Sequence, residues 1–344
     1  MAQLYAFSSP KHYLCSMKEA IGLFSALGDR LRDFGSDAET RRIAAEACRA
    51  NGWFSPPEIR RAVEAIADRM LRHDALEAWL AAYPVPVAAP RRVLVVMAGN
   101  IPLVGFFDLL CVVASGHRCL VKPSTKDSVL MRYVIGLLRT IAPDVAIEYY
   151  DGMSPVDAVI ATGSNNARRY FQTRYAGIPA LLRGHRQSVA VLSGRETPRQ
   201  LAGLADDIGA YSGLGCRSVS RLFLPSDYPL RLDMPPANPK LRNDCLRTRA
   251  LLTMTGRPFI DLGGFVAVEQ EEFSASLSML TYTRYRDLAE VEAWLAAHDD
   301  EVQCVVTESL THSRRTGFGC AQSPALTDWP DDRDVMEWLT KEVE

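Results

Sequence analysis

Apolar residues recur at helical spacing over residues 17–34, 40–50, 56–67 and 74–83, so the first quarter of the chain predicts helices. Ser55 before Pro56 and Pro57 gives the third of these a capping side chain and proline at its start, where the missing N–H is not needed. A proline-rich linker, 84–90, follows. The period then changes. Residues 93–97 form a continuous β-branched and aliphatic run, the pattern of a strand buried on both faces of a parallel sheet. Residues 98–102 break it, an apolar helix over 103–115 follows, and Gly116 leads to a second strand at 119–121, which completes a βαβ unit. A strand at 158–161 runs into Thr162-Gly163-Ser164 and another helix, which Thr162 or Ser164 can cap. Beyond 188 the pattern predicts strands at 189–192, 222–224, 265–269, 278–282 and 302–307, with a helix at 287–297 before the last. No internal repeat or low-complexity tract interrupts the order.

Composition narrows the class. At about 100–200 residues per domain, 344 residues make roughly two domains. Hydrophobic residues at 48% and charged residues at 23% suit a large core, and a net charge of −2 without a basic block gives no reason to expect nucleic acid. No charged-plus-apolar leader opens the sequence and no apolar stretch reaches the ~20 residues a bilayer requires, so a cytoplasmic protein without a membrane span is expected. The eight cysteines form no C-x-x-C pair and the histidines show no metal-ligand spacing, so no metal is expected. Most of the cysteines read as small apolar packers, Cys111 in an apolar helix and Cys119 and Cys304 in apolar strands, while Cys15 carries no reading of its own. His12, His73, His298 and His312 read as surface residues, and His117 as a cation at a helix C-terminus.

Candidate chemistry lies in the breaks between elements. Cys216, in YSGLGCRSVS, stands in a glycine turn before an apolar strand. Gly213 and Gly215 would leave room for a ligand, and the Cys216 N–H would be free to point at an oxygen; alternatively the cysteine simply packs. Asn100, in AGNIP, lies at the carboxyl edge of the first sheet, where open α/β sheets bind ligands, and its amide suits an oxyanion or an Asx turn before Pro102. The start of the helix after Thr162, Gly163 and Ser164 suits a pyrophosphate or nicotinamide, or is an ordinary capped helix. No G-x-G-x-x-G loop or Walker A sequence follows any strand. Cys320, in GFGC, is the rival nucleophile. His185 reads as a local hydrogen-bonding residue of the crossing between domains, and no Ser-His-Asp order points to a hydrolase.

In order, AGNIPLVGF (98–106), VKPST (121–125), ATGSNN (161–166) and GLGCRSVS (213–220) resemble the Asn loop, Lys-containing cofactor strand, Gly-Ser turn and nucleophile segment of the aldehyde dehydrogenase superfamily. RGHRQSVAVLSGRET (183–197) and GFGCAQSPALTDWPDDRDVMEWL (317–339) resemble its LuxC-like acyl-CoA reductases, and the similarity spans residues 51 to 344. The resemblance implies an aldehyde-dehydrogenase-like α/β fold: an N-terminal helical segment (1–88), a Rossmann-type cofactor-binding domain (89–188), a catalytic α/β domain (189–310) and a C-terminal segment (311–344) returning to the cofactor domain. The N-terminal helices are candidates to wall an acyl tunnel, with Trp53, Phe54 and Trp79 as core residues.

It also implies reduction of an acyl thioester to an aldehyde. Cys216 would be the nucleophile, Asn100 and the Cys216 N–H the oxyanion donors, and Lys122, Ser124, Thr125, Thr162, Gly163 and Ser164 the cofactor site. Lys122 would sit beside the adenosine ribose, or is a solvated lysine ending a strand. Thr125 stands where NAD-preferring relatives carry a carboxylate, and with Lys126 beside it admits a 2′-phosphate, so NADPH is expected. A helix dipole and Arg217 are expected to lower the Cys216 thiol pKa. Glu272 is similar to the superfamily's ribose-binding glutamate, or belongs to a solvated charge run. Where hydrolytic members carry a water-activating glutamate this chain has Leu182, which cannot act as a base. The substrate is thus an acyl-CoA or acyl-carrier-protein thioester; an acyl-protein synthetase partner and a homo-oligomer stay open, as do an oxidising aldehyde dehydrogenase and a non-catalytic nucleotide-binding scaffold.

Overall fold

The computed structural model describes residues 16–235 and 238–343, so His12 and Cys15 lie outside the described residues. The helices at the start are α1 (Met17–Arg32), α2 (Ala38–Ala50), α3 (Pro56–Ala65) and α4 (His73–Leu80). Ser16 and Glu19 close a reciprocal capping box on α1, and the Ser55 side chain accepts from Glu58 N–H at the start of α3. α3 runs on into a wider π-helical turn, Ile66–Met70.

Two sheets follow. The first contains β1 (Arg92–Val96), β2 (Arg118–Lys122), β3 (Ile147–Tyr149), β4 (Ala158–Thr162) and β5 (Ala180–Arg183). Between them lie α5 (Phe106–Ala114), α6 (Ser128–Ile141) and α7 (Asn165–Arg174). The strand order is β3-β2-β1-β4-β5, all parallel. The chain lays β2 and β3 on one side of β1 and β4 and β5 on the other, so the carboxyl end of β1 is a topological switch point. Gly184, His185 and Arg186 alone separate β5 from β6 (Gln187–Val191), which starts the second sheet.

That sheet is completed by β7 (Val219–Pro225), β8 (Ile260–Asp261), β9 (Val266–Glu269), β10 (Met279–Tyr285), β11 (Val302–Val306) and β12 (Arg315–Thr316), with α8 (Pro198–Gly209), α9 (Pro239–Met254) and α10 (Leu288–Ala297) between strands. Its order is β12-β11-β6-β7-β10-β9-β8, parallel except for the antiparallel β8–β9 pair. The last helix is α11 (Val335–Lys341). Among the described residues no helix is long and apolar enough to cross a membrane.

The largest core cluster is shared. Leu27, Leu76, Leu109, Val134 and Trp338 all belong to it, so the N-terminal helices, α5, α6 and α11 bury their apolar faces together against the first sheet. His117 helps to fasten α11 there. It is 1% exposed, its Nδ1 accepts the Arg91 N–H at 3.0 Å and its Nε2 lies 3.0 Å from the Leu339 carbonyl oxygen. A ring that accepts at one nitrogen and donates at the other is neutral, so the expected cation at this helix end is corrected to a neutral clasp.

α8 approaches the chain after β12 backbone to backbone. A Cβ on Gly203 would lie 2.8 Å from Gly319 N and 2.9 Å from the Phe318 carbonyl carbon. One turn on, the fully buried Asp207 accepts the N–H groups of Gly319 (2.7 Å) and Ala321 (3.0 Å). Gly203→Ala should therefore cost about 1–3 kcal/mol. Gly136→Ala, in α6 where a Cβ meets nothing within 4 Å, should gain about 0.5–1 kcal/mol. Urea unfolding of both variants checks this, and a Gly203→Ala as stable as wild type would mean the two backbones are not in contact.

Candidate active site

A cavity of ≈ 570 Å³ opens at the carboxyl edge of the first sheet. Asn100, Ser124, Thr162, Gly163, Ser164 and Cys216 all line it, whereas Lys122 and Thr125 are exposed and stand outside its lining. The loops after β1, β2 and β4 thus meet the turn before β7.

Cys216 follows a backbone segment that few residues adopt. Tyr211, Ser212 and Gly213 have φ of 52°, 57° and 74°, three left-handed residues in succession. A Cβ on Gly213 would meet only ordinary contacts at 3.6 Å, so this glycine serves the backbone turn and not ligand clearance. Gly215 does line the cavity. Ser188 Oγ, from β6, donates to the Cys216 carbonyl oxygen at 2.8 Å and lies 3.1 Å from Cys304 Sγ. Among the described residues the Cys216 N–H has no hydrogen-bond partner, so a donor is available beside the thiol.

The Cys216 side chain is open to solvent through the cavity, yet the walls crowd it closely. Desolvation pushes the thiol up to about 11, against the pull of Arg217 and Arg183, while the charge of Asp331 adds to the rise. The expected lowering by a helix dipole is therefore overturned, because the turn leads into β7 and no helix begins at Cys216. Arg217 acts in the expected direction; its Nε donates to the Ala321 carbonyl oxygen at 2.9 Å.

Asn100 faces this turn. Its Nδ2 donates to the Leu214 carbonyl oxygen at 2.6 Å, so the amide ties the loop after β1 to the turn that carries Cys216 and keeps one hydrogen for a ligand. The loop is held from beneath. Leu103 is left-handed, φ 56°, so α5 starts at Phe106 and not at 103, and the Leu103 N–H donates to Asp127 Oδ2 at 2.8 Å. Asp127 Oδ1 is buried without a partner, and burial pushes this carboxyl up to about 8.

Several walls carry residues with no role assigned from sequence. At the end of β5, Leu182 packs with Leu94, Leu120 and Val159 on the other face of the sheet, and Arg183 reaches the cavity instead. Arg183 Nη1 donates to both Asp108 oxygens, at 2.8 and 2.7 Å, with the two side chains 5% and 6% exposed. Ala62, Ile66 and Met70 form an apolar wall with Phe106 and Phe107, built partly by the π-helical turn after α3. Residues 324–331 bring Asp328 and Asp331 to the same space. His185 lines it too, and its backbone N–H donates to Asn165 Oδ1 at 3.0 Å. Cys320 and Glu272 are exposed and outside the lining. Both segments flagged as reductase-like, 183–197 and 317–339, contribute residues that line the cavity.

The family model for acyl-CoA reductase (LuxC) matches residues 60–233. A search of curated proteins returns no match. An oxidoreductase from Marinobacter aquaeolei superposes with a TM-score of 0.63 at 13% identity, over 92% of this chain and 80% of that one. An acetylating aldehyde dehydrogenase from Geobacillus thermoglucosidasius gives 0.60 at 12% identity, over 90% and 84%. An NADP-dependent glyceraldehyde-3-phosphate dehydrogenase from Bacillus halodurans C-125, complexed with NADP, gives 0.56 at 12%, over 86% and 75%. These likenesses establish the aldehyde-dehydrogenase fold.

Asp127 makes stability depend on pH. Its folded pKa of about 8 lies above the ~3.9 of an unfolded aspartate, so the folded chain retains a proton that the unfolded chain has lost, and stability falls as pH rises from about 4 to 8. Asp127→Asn, which keeps an acceptor for Leu103 N–H, should gain in thermal midpoint relative to wild type between pH 5 and pH 8, by roughly 2–4 °C or more. A difference that stays constant over that range would show that Asp127 is ionised throughout.

Proposed function

Because the chain belongs to the LuxC family of acyl-CoA reductases, we propose that it reduces an acyl thioester to an aldehyde through a Cys216 acyl-enzyme with NADPH as cofactor. Membership carries aldehyde-related oxidoreductase chemistry; the thioester, the cofactor and the residue roles are the reading argued here. The observation that supports it best is the pairing of an open Cys216 thiol with two oxyanion donors. These are its own unpartnered N–H and the Asn100 amide fixed on the facing loop.

As the sulfur adds to the thioester carbonyl, charge moves to the carbonyl oxygen, and the two donors hold it while the carrier thiol leaves. Arg183 at the end of β5 is always charged and locked on Asp108, so this strand end supplies no base for hydrolysis. Transfer without hydrolysis suits that wall. The apolar wall of Ala62, Ile66, Met70, Phe106 and Phe107 suits an aliphatic acyl group.

The donor set fits a phosphorylated dinucleotide. Thr162, Gly163 and Ser164 line the cavity, and Ser164 caps α7, whose first N–H groups lack helical partners. Residues 121–126, VKPSTK, contain two lysines and no carboxylate, and the adjacent Asp127 is buried with its carboxyl pushed up. A nicotinamide held there would supply the hydride that takes the acyl carbon to the aldehyde level.

Cys216→Ser should keep the fold and cofactor binding but lose acylation, read as the added mass on the intact protein after incubation with acyl-CoA without cofactor. Asn100→Ala should acylate roughly 10²–10³-fold more slowly, and Cys320→Ser should behave as wild type. A fully active Cys216→Ser beside a dead Cys320→Ser would end the assignment. Higher catalytic efficiency with NADH than with NADPH would overturn the cofactor reading, and aldehyde oxidation without CoA would favour the oxidising alternative.

A further inference from the structure

A thiol held near 11 is almost wholly protonated at neutral pH, so attack on a thioester needs a proton acceptor within the cavity. The carboxyl and imidazole groups that line it are Asp108, Asp328, Asp331 and His185. Asp108 has both oxygens engaged by Arg183. Asp328 is exposed and accepts the Ala325 N–H at 2.7 Å, closing its own turn. His185 is exposed, and its backbone N–H donates to Asn165 Oδ1 at 3.0 Å.

Asp331 differs from all three. Its side chain is 16% exposed, and its nearest cation, Arg186 Nε, is 3.5 Å away. Among the described residues neither Asp331 oxygen accepts a hydrogen bond; Oδ1 is ion-paired with Arg186, and the residue lines the cavity. Its backbone is left-handed, φ 59°, and so is that of Asp332, φ 56°, a conformation uncommon for residues other than glycine. It is held there by its N–H donating to Gln303 Oε1 at 3.1 Å, while Gln303 Nε2 donates to the Trp329 carbonyl oxygen at 3.4 Å. Such over-determined strain clusters at functional sites. Asp331 is also the carboxylate whose charge acts on the Cys216 thiol, and burial raises its own pKa while Arg186, Arg183 and Arg168 lower it and Asp108 adds to the rise.

We propose that Asp331 accepts the Cys216 proton during thioester attack and returns it to the departing carrier thiol. The proposal rests on the thioester reading above. As the sulfur–acyl bond forms, the S–H proton passes to the Asp331 carboxylate and the carbonyl π pair moves to oxygen. When that pair returns, the bond to the carrier sulfur breaks, and the carrier thiolate takes the proton from the Asp331 carboxyl, leaving a free thiol, a carboxylate and the acyl-enzyme. No other reagent enters.

Two reactions of the full-length protein test this between pH 6 and pH 10: acylation by octanoyl-CoA without cofactor, and alkylation of Cys216 by iodoacetamide, both followed by intact mass. With Asp331 as acceptor, Asp331→Asn should acylate about 10²-fold more slowly than wild type at pH 7. The deficit should shrink as the pH rises toward the thiol's own titration, and Asp331→Glu should recover part of the rate. His185→Gln should follow the wild-type profile. Alkylation of Asp331→Asn should also be slower at pH 7. A carboxylate acting only through its field gives the opposite sign, since its removal makes the thiol more acidic and both reactions faster. Faster or unchanged rates in Asp331→Asn would overturn the proposal, as would a deficit equal at every pH, the mark of a structural role. A wild type that alkylates at Cys216 but never acylates sinks the thioester reading, and the alkylation rates then decide on Asp331 by themselves.

Discussion

Arg183 and Asp108 meet inside the protein with their side chains 5% and 6% exposed, and the geometry of the cavity hangs on that contact. Arg183 ends β5, with three residues between it and the start of the second sheet, and Asp108 lies in the first turn of the helix that follows the Asn100 loop. The pair therefore joins the crossing between sheets to the element that aims Asn100. Its charges are poorly hydrated, and Arg183 Nε and Nη2 have no partner among the described residues, so separating them would leave uncompensated charge in a dry interior. With that corner locked, the Asn100 amide reaches Leu214 at 2.6 Å and the two loops face each other across the cavity.

Desolvation also bears on Cys216, although its side chain opens to the cavity. Desolvation by the surrounding walls pushes the Cys216 thiol up to about 11, which favours its protonated form at neutral pH. Reactivity then has to arrive with the substrate and with charges supplied by distant parts of the chain. Arg217 is held by Ala321, and Asp331 comes from still further along, so the electrostatics of one sulfur are set by three separated segments.

Much of this was legible in the sequence wherever local chemistry decides the outcome. The helical periods of the first quarter, the β-branched run that becomes β1, the Ser55 cap and the Ser164 cap are local facts, and the elements form within a few residues of the expected bounds. The start of α5 moved because a left-handed Leu103 is held by Asp127, 24 residues away, which no window of pattern contains. α9 showed no apolar stripe because Leu246, Leu251 and Met254 face solvent while Leu241, Cys245 and Leu252 face inward. Arg183 and Asp331 are polar residues whose burial is purely tertiary, so composition and period carry no trace of it. Lys122, the last residue of β2, and Thr125, in the turn after it, are exposed and outside the cavity lining, which their sequence neighbours do not reveal.

The cavity draws its walls from residues as far apart as Ala62 and Asp331, and this has a consequence for the protein's birth. A chain emerging from the ribosome folds its earlier units first. Both sheets can close before residues 324–331 and α11 have emerged, because among the described residues every strand lies upstream of residue 317. The Cys216 turn, β7 and the Asn100 loop would then exist with one side of the chamber missing. The complete chamber is thus a late event in synthesis, closed by the segment that arrives after the strands of both sheets.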